Sequence, residues 1–157
     1  MQFEEDVYRF IQAAQKRGLA MLMVGGGAVN FHGYRRHSAD VDFWINPLPE
    51  NFECLLKVLQ DCDYEINELP LPVLKSEQNI SINISPEQEL ELITRFNPGK
   101  SFEECYQNSR TSEITYKGQT LNYQVLGFDE LISSKAKAAR AKDLLDIQEL
   151  KRLNNQK

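Results

Sequence analysis

Two hydrophobic rhythms alternate along the chain. Phe3, Val7, Phe10, Ile11 and Ala14 recur at helical spacing, which predicts an amphipathic helix over residues 3–16, ended by Arg17-Gly18 and packed on a sheet. Residues 19–24 form a short apolar run of the kind that makes a buried strand. Gly25, Gly26 and Gly27 stop it with a turn at positive φ, and residues 28–32 read as a short helix. Residues 40–45, Asp-Val-Asp-Phe-Trp-Ile, alternate polar and apolar before turning fully apolar, a second strand. Pro47 and Pro49 break the chain, and residues 50–60 read as a helix with Phe52, Leu55, Leu56 and Leu59 inward.

Further on, residues 64–66 read as a brief strand, and residues 69–74, with Pro70 and Pro72, as a loop or edge segment, because proline cannot donate to a central ladder. Ile80, Ile82 and Ile84 alternate with polar partners as a half-buried strand that Pro86 closes. Residues 89–94 make the next strand, with Glu89, Glu91 and Ile93 on one side and Leu90, Leu92 and Thr94 on the other. Asn97-Pro98-Gly99-Lys100 is a turn, and Ser101 caps a short helix with Glu104 three residues on. Residues 114–116 and 121–125 flank Lys117-Gly118-Gln119 as a hairpin. In the tail, Leu131, Ile132, Lys135, Ala136 and Ala139 share one helical stripe, and Asp143 and Asp146 share an arc with Ile147 and Leu150. The expected class is α/β (α+β): a mixed β-sheet flanked by helices, with a C-terminal helical segment. With 157 residues and no repeat or low-complexity linker, one domain is expected, residues 1–126 holding the sheet and 127–157 the last helices.

The pattern carries chemistry in two places. A strand, a glycine turn and a helix start expose amide N–H groups that favour phosphate. Asp40 and Asp42 lie on one face of the following strand, roughly 6–7 Å apart. Carboxylates pointing the same way repel unless a cation sits between them, and oxygen ligands suit a hard ion such as Mg²⁺. Amides for phosphates and carboxylates for metals make a triphosphate-handling site. Arg35, Arg36 and His37 form a basic loop between helix and strand that either touches a phosphate or ribose or is a solvated turn.

The order Gly-Gly, short helix, Arg/Ser loop and Asp-x-Asp opening an apolar strand resembles the nucleotidyltransferase fold of the DNA polymerase beta superfamily. Within it, VGGGAVNFHGYRRHSADVDFWI and LISSKAKAARAKDLLDIQEL are most similar to small prokaryotic nucleotidyltransferases related to AbiE-type toxins. The resemblance implies Mg²⁺-dependent transfer of a nucleoside monophosphate, with Asp40 and Asp42 holding two ions. It implies a third acidic residue at Glu91, where the family carries Asp. It also implies phosphate contact by Lys135, with Asp143 holding or orienting residues of the site; the exposed amides that would position phosphates are those of Gly25 and Gly26, and Arg36 is the nucleotide-binding candidate of the basic loop. The plainer reading leaves Glu89 and Glu91 as a solvent-facing pair, Lys135 snorkelling outward and Asp143 complementing a helix dipole. Asp146 and His32 read as structural.

Composition narrows the partners. A net charge of −5 argues against a broad duplex-DNA footprint, while Lys135, Lys137, Arg140 and Lys142 leave room for a local basic patch. Cys54, Cys62 and Cys105 have no Cys-x-x-Cys spacing and read as reduced thiols. An acidic N-terminus and the lack of an apolar run near the roughly 20 residues needed to span a bilayer make cytoplasm the expectation. The expected partners are a nucleoside triphosphate, an acceptor such as tRNA, a protein or a small molecule, and a cognate antitoxin protein. An antibiotic-modifying enzyme of the aminoglycoside or lincosamide type and a non-catalytic nucleotide-binding regulatory module are the alternatives.

Overall fold

A computed structural model describes residues 3–36 and 38–155; His37 of the basic loop lies outside the described residues. The elements run α1 (Glu5–Arg17), β1 (Met21–Val24), α2 (Gly25–Phe31), β2 (Asp40–Ile45), α3 (Pro49–Asp61), α4 (Leu71–Leu74), β3 (Ile80–Ser85), β4 (Gln88–Ile93), α5 (Phe102–Gln107), β5 (Arg110–Tyr116), β6 (Gln119–Val125), α6 (Phe128–Ala138) and α7 (Ala141–Asn155). The six strands form one mixed sheet in the order β3-β4-β2-β1-β6-β5. β1 runs antiparallel to β2 and parallel to β6, while β2 and β4 are parallel. The two outer pairs, β3 with β4 and β5 with β6, are antiparallel hairpins.

The period of two on β2 divides the interior. Val41, Phe43 and Ile45 face one way and are buried. Phe10 of α1 and Tyr123 of β6 pack on Phe43 with ring centroids 5.9 and 6.0 Å away. All five residues of the expected α1 stripe are buried there, and Gly18 closes the helix in the left-handed conformation at φ 69°. Trp44 faces the other way and meets Phe96 and Phe102 at 5.1 and 5.0 Å. Ser101 and Glu104 form the reciprocal capping box at the start of α5.

Several local expectations are corrected. Residues 64–66 make no strand: Ile66 N donates to Tyr64 O, and Gln60 Nε2 donates to Ile66 O, so the segment folds back on itself and has no ladder to join. Residues 71–74 form a helical turn, because Pro70 and Pro72 sit at its start, where a missing N–H leaves nothing unpaired. In α3 the inward set is Asn51, Phe52, Leu55, Val58 and Leu59, with Leu56 only half-buried. The last hairpin is longer than its apolar residues indicate, and its turn is the two-residue Lys117-Gly118, both at positive φ. Ala136 and Ala139 are exposed: the buried residues of α6 are Glu130, Leu131 and Lys135, and Ala139 is the left-handed C-cap beyond its end.

Asn51 is the polar pin of this core. Its Oδ1 accepts from Ala20 N at 3.0 Å, and its Nδ2 donates to Ala20 O and Asn46 O at 3.0 and 2.9 Å. It thereby ties the entrance of β1 and the exit of β2 to α3. Asn51→Ala strands buried backbone groups and should lower stability by about 2–3 kcal/mol, read as a shift in the urea midpoint. An unchanged midpoint would contradict this role.

Candidate functional site

The end of β1 delivers the chain to the site. Val24 lies opposite Asp42 in the ladder, and the next residue opens α2. Gly25 has φ 63°, and a Cβ there would lie 2.2 Å from Asp42 Oδ2, so both backbone and space demand glycine. The expected three-residue turn is corrected: of the three glycines only Gly25 has positive φ, and the helix begins at the glycines themselves. Gly26 and Gly27 serve close packing instead, since a Cβ would meet Ser38 Oγ at 2.4 Å and Met23 Sδ at 2.7 Å respectively.

Asp40 and Asp42 do share a face of β2. The parallel ladder sets Glu89 beside Asp40 and Glu91 beside Asp42, so four acidic side chains crowd one patch of sheet. Burial, then the charges of Asp40 and Glu91, push the Asp42 carboxyl up to about 6, with Lys142 pulling the other way. Glu89 is also raised, by desolvation first and then by a hydrogen bond with Glu91 and the charge of Asp40. Glu91 is engaged on its far side, where Oε2 accepts from Ser81 Oγ of β3 at 2.6 Å. Among the described residues, no three His, Cys, Asp or Glu side chains are gathered closely enough to ligate one metal ion.

The cleft in front of this patch encloses about 630 Å³. Val24, Gly25, Gly26, Ser38, Asp40 and Asp42 form one part of its lining. Arg36, Arg95, Lys135, Lys137, Arg140 and Lys142 bring six cations to it, against Asp40 and Asp42 as its acids. Three of the six are already paired. Lys135 is buried and donates to Asp146 Oδ2 at 2.8 Å and Asp143 Oδ1 at 3.5 Å. Arg36 grips Asp146 with Nε and Nη2, both at 2.9 Å. Asp143 also accepts from the backbone N–H and guanidinium of Arg140. Both aspartates are held below the usual carboxylate range against the pull of their own burial: by hydrogen bonds from Arg140 and the charge of Lys135 at Asp143, and by hydrogen bonds from Arg36 and Lys135 at Asp146.

Lys135 does not snorkel outward: it is buried, and its ammonium is met by two carboxylates. The Arg36–Asp146 pair spans 110 residues and leaves no local signal. Asn79, Arg95, Phe96 and Asn97 of the lining were not anticipated either, since they come together only when β3 and β4 pair. His32 lies apart from the cleft's lining, its Nε2 against Leu126 O at 2.7 Å.

This architecture is the nucleotidyltransferase fold. Over 95% of this chain and 96% of the other, it superposes on a lincosamide antibiotic adenylyltransferase, LnuA, solved with lincomycin bound, at TM-score 0.57 and 15% identity. The antibiotic-resistance factor ANT(2'')-Ia in solution matches at TM-score 0.52 and 13% identity over 94% of this chain and 81% of that one. The same protein in complex with adenylyl-2''-tobramycin matches at 0.50 and 12% over 93% and 86%. No family model and no curated protein matches the sequence. Among the described residues, no helix is long and apolar enough to cross a membrane.

The raised Asp42 carboxyl has a consequence for stability. Between 3.8 and about 6 the folded chain holds a proton at Asp42 that the unfolded chain has lost, so stability falls as pH rises through that window and the penalty is complete above it. In chelator, Asp42→Asn should therefore stabilise the protein at about pH 7.5 by on the order of 2–3 kcal/mol and leave it nearly unchanged at about pH 4. Thermal unfolding at the two pH values reads this, and equal effects at both would contradict it.

Proposed function

We propose that the protein transfers a nucleoside monophosphate from a nucleoside triphosphate to a hydroxyl of an acceptor. The observation that carries this reading is the pairing of Asp40 with a desolvated Asp42 on one face of β2 beside the Gly25 bend, in a cleft whose other charges are cationic. The pair fits Mg²⁺: the donors are all oxygen, they share a face, and their mutual repulsion is what a divalent cation relieves. Mg²⁺ bound there, two ions by resemblance, supplies neutralisation of the triphosphate and a lowered pKa for the attacking hydroxyl.

The chain's own groups divide the remaining work. Amides of Gly25 and Gly26 position phosphate oxygens at the start of α2. Lys135 donates to a phosphate while Asp143 and Asp146 keep its ammonium at the cleft, and Arg36 assists from the loop before β2. The acceptor oxygen bonds to the α-phosphorus as the bond to pyrophosphate breaks. Glu91 is held by Ser81 and does not close with Asp40 and Asp42 into a three-acid cluster. Once released, it takes the hydroxyl proton; a third-ligand role would require its side chain to swing towards Asp42.

Of the six cations three are held by Asp143 and Asp146, which leaves Arg95, Lys137 and Lys142 to face Asp40 and Asp42. With a divalent ion on that acidic pair the cleft is net positive, which favours an anionic acceptor such as tRNA over a polycationic aminoglycoside. The fold neighbours support a second reading, a small-molecule acceptor of the lincosamide kind. A toxin role with a cognate antitoxin protein follows the resemblance to AbiE-type toxins alone. Purified protein incubated with each α-labelled triphosphate, Mg²⁺ and either total tRNA or a drug panel should label the RNA. Asp42→Asn should reduce product by at least about a hundredfold with the fold intact by circular dichroism. Equal product from the variant would refute the assignment, and nucleotide binding without product from the wild type would favour a regulatory module.

A further inference from the structure

The cleft has a second wall that the transfer chemistry leaves unused, on its β3–β4 side. Ile93, Phe96, Asn79 and Asn97 belong to its lining. The ladder fixes its position: Glu91 lies beside Asp42 and Ile93 beside Trp44, so the wall begins one same-face step, roughly 6–7 Å, along the sheet from the carboxylates. A ribose spans that kind of gap between an α-phosphate and its base. Phe96 is half-buried, its ring pinned against Trp44 at 5.1 Å between centroids.

Two exposed carboxamides share the cleft lining with the ring, and each is fixed through its oxygen. Thr94 N donates to Asn79 Oδ1 and Gly99 N to Asn97 Oδ1, each at 3.0 Å. A backbone N–H can only donate, so each amide oxygen is committed to the chain and each NH₂ is the end left over. Neither Nδ2 has a partner among the described residues. Thr94 is buried and its Oγ1 donates to Gln78 O at 2.9 Å, which holds the Asn79 segment in register.

We propose that this wall is a nucleobase subsite, resting on the nucleotidyl-transfer reading above. Phe96 and Ile93 supply the stacking surface, and the two NH₂ groups read a base edge rich in acceptors. On its Hoogsteen edge guanine presents O6 and N7 together, and the pyrimidines present ring carbonyls, whereas adenine N1 and N7 each lie beside its N6 donor. The site therefore takes a triphosphate with a carbonyl-bearing base in preference to an adenosine triphosphate.

Calorimetry with Mg²⁺ and the non-transferable α,β-methylene analogues of the four triphosphates tests this. Wild type should bind at least one carbonyl-bearing analogue about fivefold or more tightly than the adenosine analogue. Asn79→Asp and Asn97→Asp keep the oxygen that the backbone needs and delete the donor. They should drive that ratio towards one with the thermal midpoint held, while Phe96→Ala weakens all four analogues together. An adenosine analogue bound equally well by wild type, or a ratio unmoved in both Asp variants, overturns the base subsite and leaves triphosphate binding standing. No binding of any analogue by wild type overturns the transfer reading along with it.

Discussion

Carboxylates forced together on a half-dry patch of sheet are the constraint around which this protein is arranged. Asp40 and Asp42 cannot separate, because they alternate with core residues Val41 and Phe43 on the same strand. Glu89 and Glu91 arrive beside them through the parallel ladder, and Gly25 closes on Asp42 where any side chain would collide. Burial first, and then the charges of Asp40 and Glu91, raise the Asp42 carboxyl. Proteins retain such crowding where a charge of opposite sign completes the site, and the cations of the cleft are the source that the fold itself supplies.

The opposite charges are themselves built into the fold. Asp143 and Asp146 lie on the buried arc of α7, and without partners two buried carboxylates would be strongly destabilising. Lys135 of α6, Arg140 of the α6–α7 joint and Arg36 of the loop before β2 satisfy them. One ion network therefore docks the C-terminal helices, fixes the basic loop and brings the Lys135 ammonium to the edge of the cleft. Its aspartates are held in the ionised form, opposite in direction to Asp42, so the two acidic sets behave differently within one site. The Asn79 and Asn97 amides extend the same economy: each oxygen braces the chain and leaves its NH₂ for a ligand.

What could be read from the chain was what local periodicity encodes. The α1 stripe, the shared face of Asp40 and Asp42, the Ser101–Glu104 capping box and the Ile80, Ile82, Ile84 alternation each depend on neighbours a few residues apart, and all are present. Long-range pairing was out of reach. Asp146 is a buried partner in the fold, but the arginine it holds, Arg36, lies 110 residues away and leaves no local trace, and the Phe96 wall exists only because Trp44 lies beneath it. Proline misled at residues 70–72, where the same missing N–H that bars a central strand is harmless in the first turn of α4. Glycine was half read: conformational freedom explains Gly25, whereas Gly26 and Gly27 answer to space alone.

The most direct measurement is the number of Mn²⁺ ions bound, followed by electron paramagnetic resonance while the ion is titrated into protein mixed with a non-transferable triphosphate analogue. Saturable uptake beyond that of the free analogue, abolished in the Asp40→Asn/Asp42→Asn double variant, is the expected result. Uptake by the double variant equal to that of wild type would mean that these acids gather no cation around a polyphosphate.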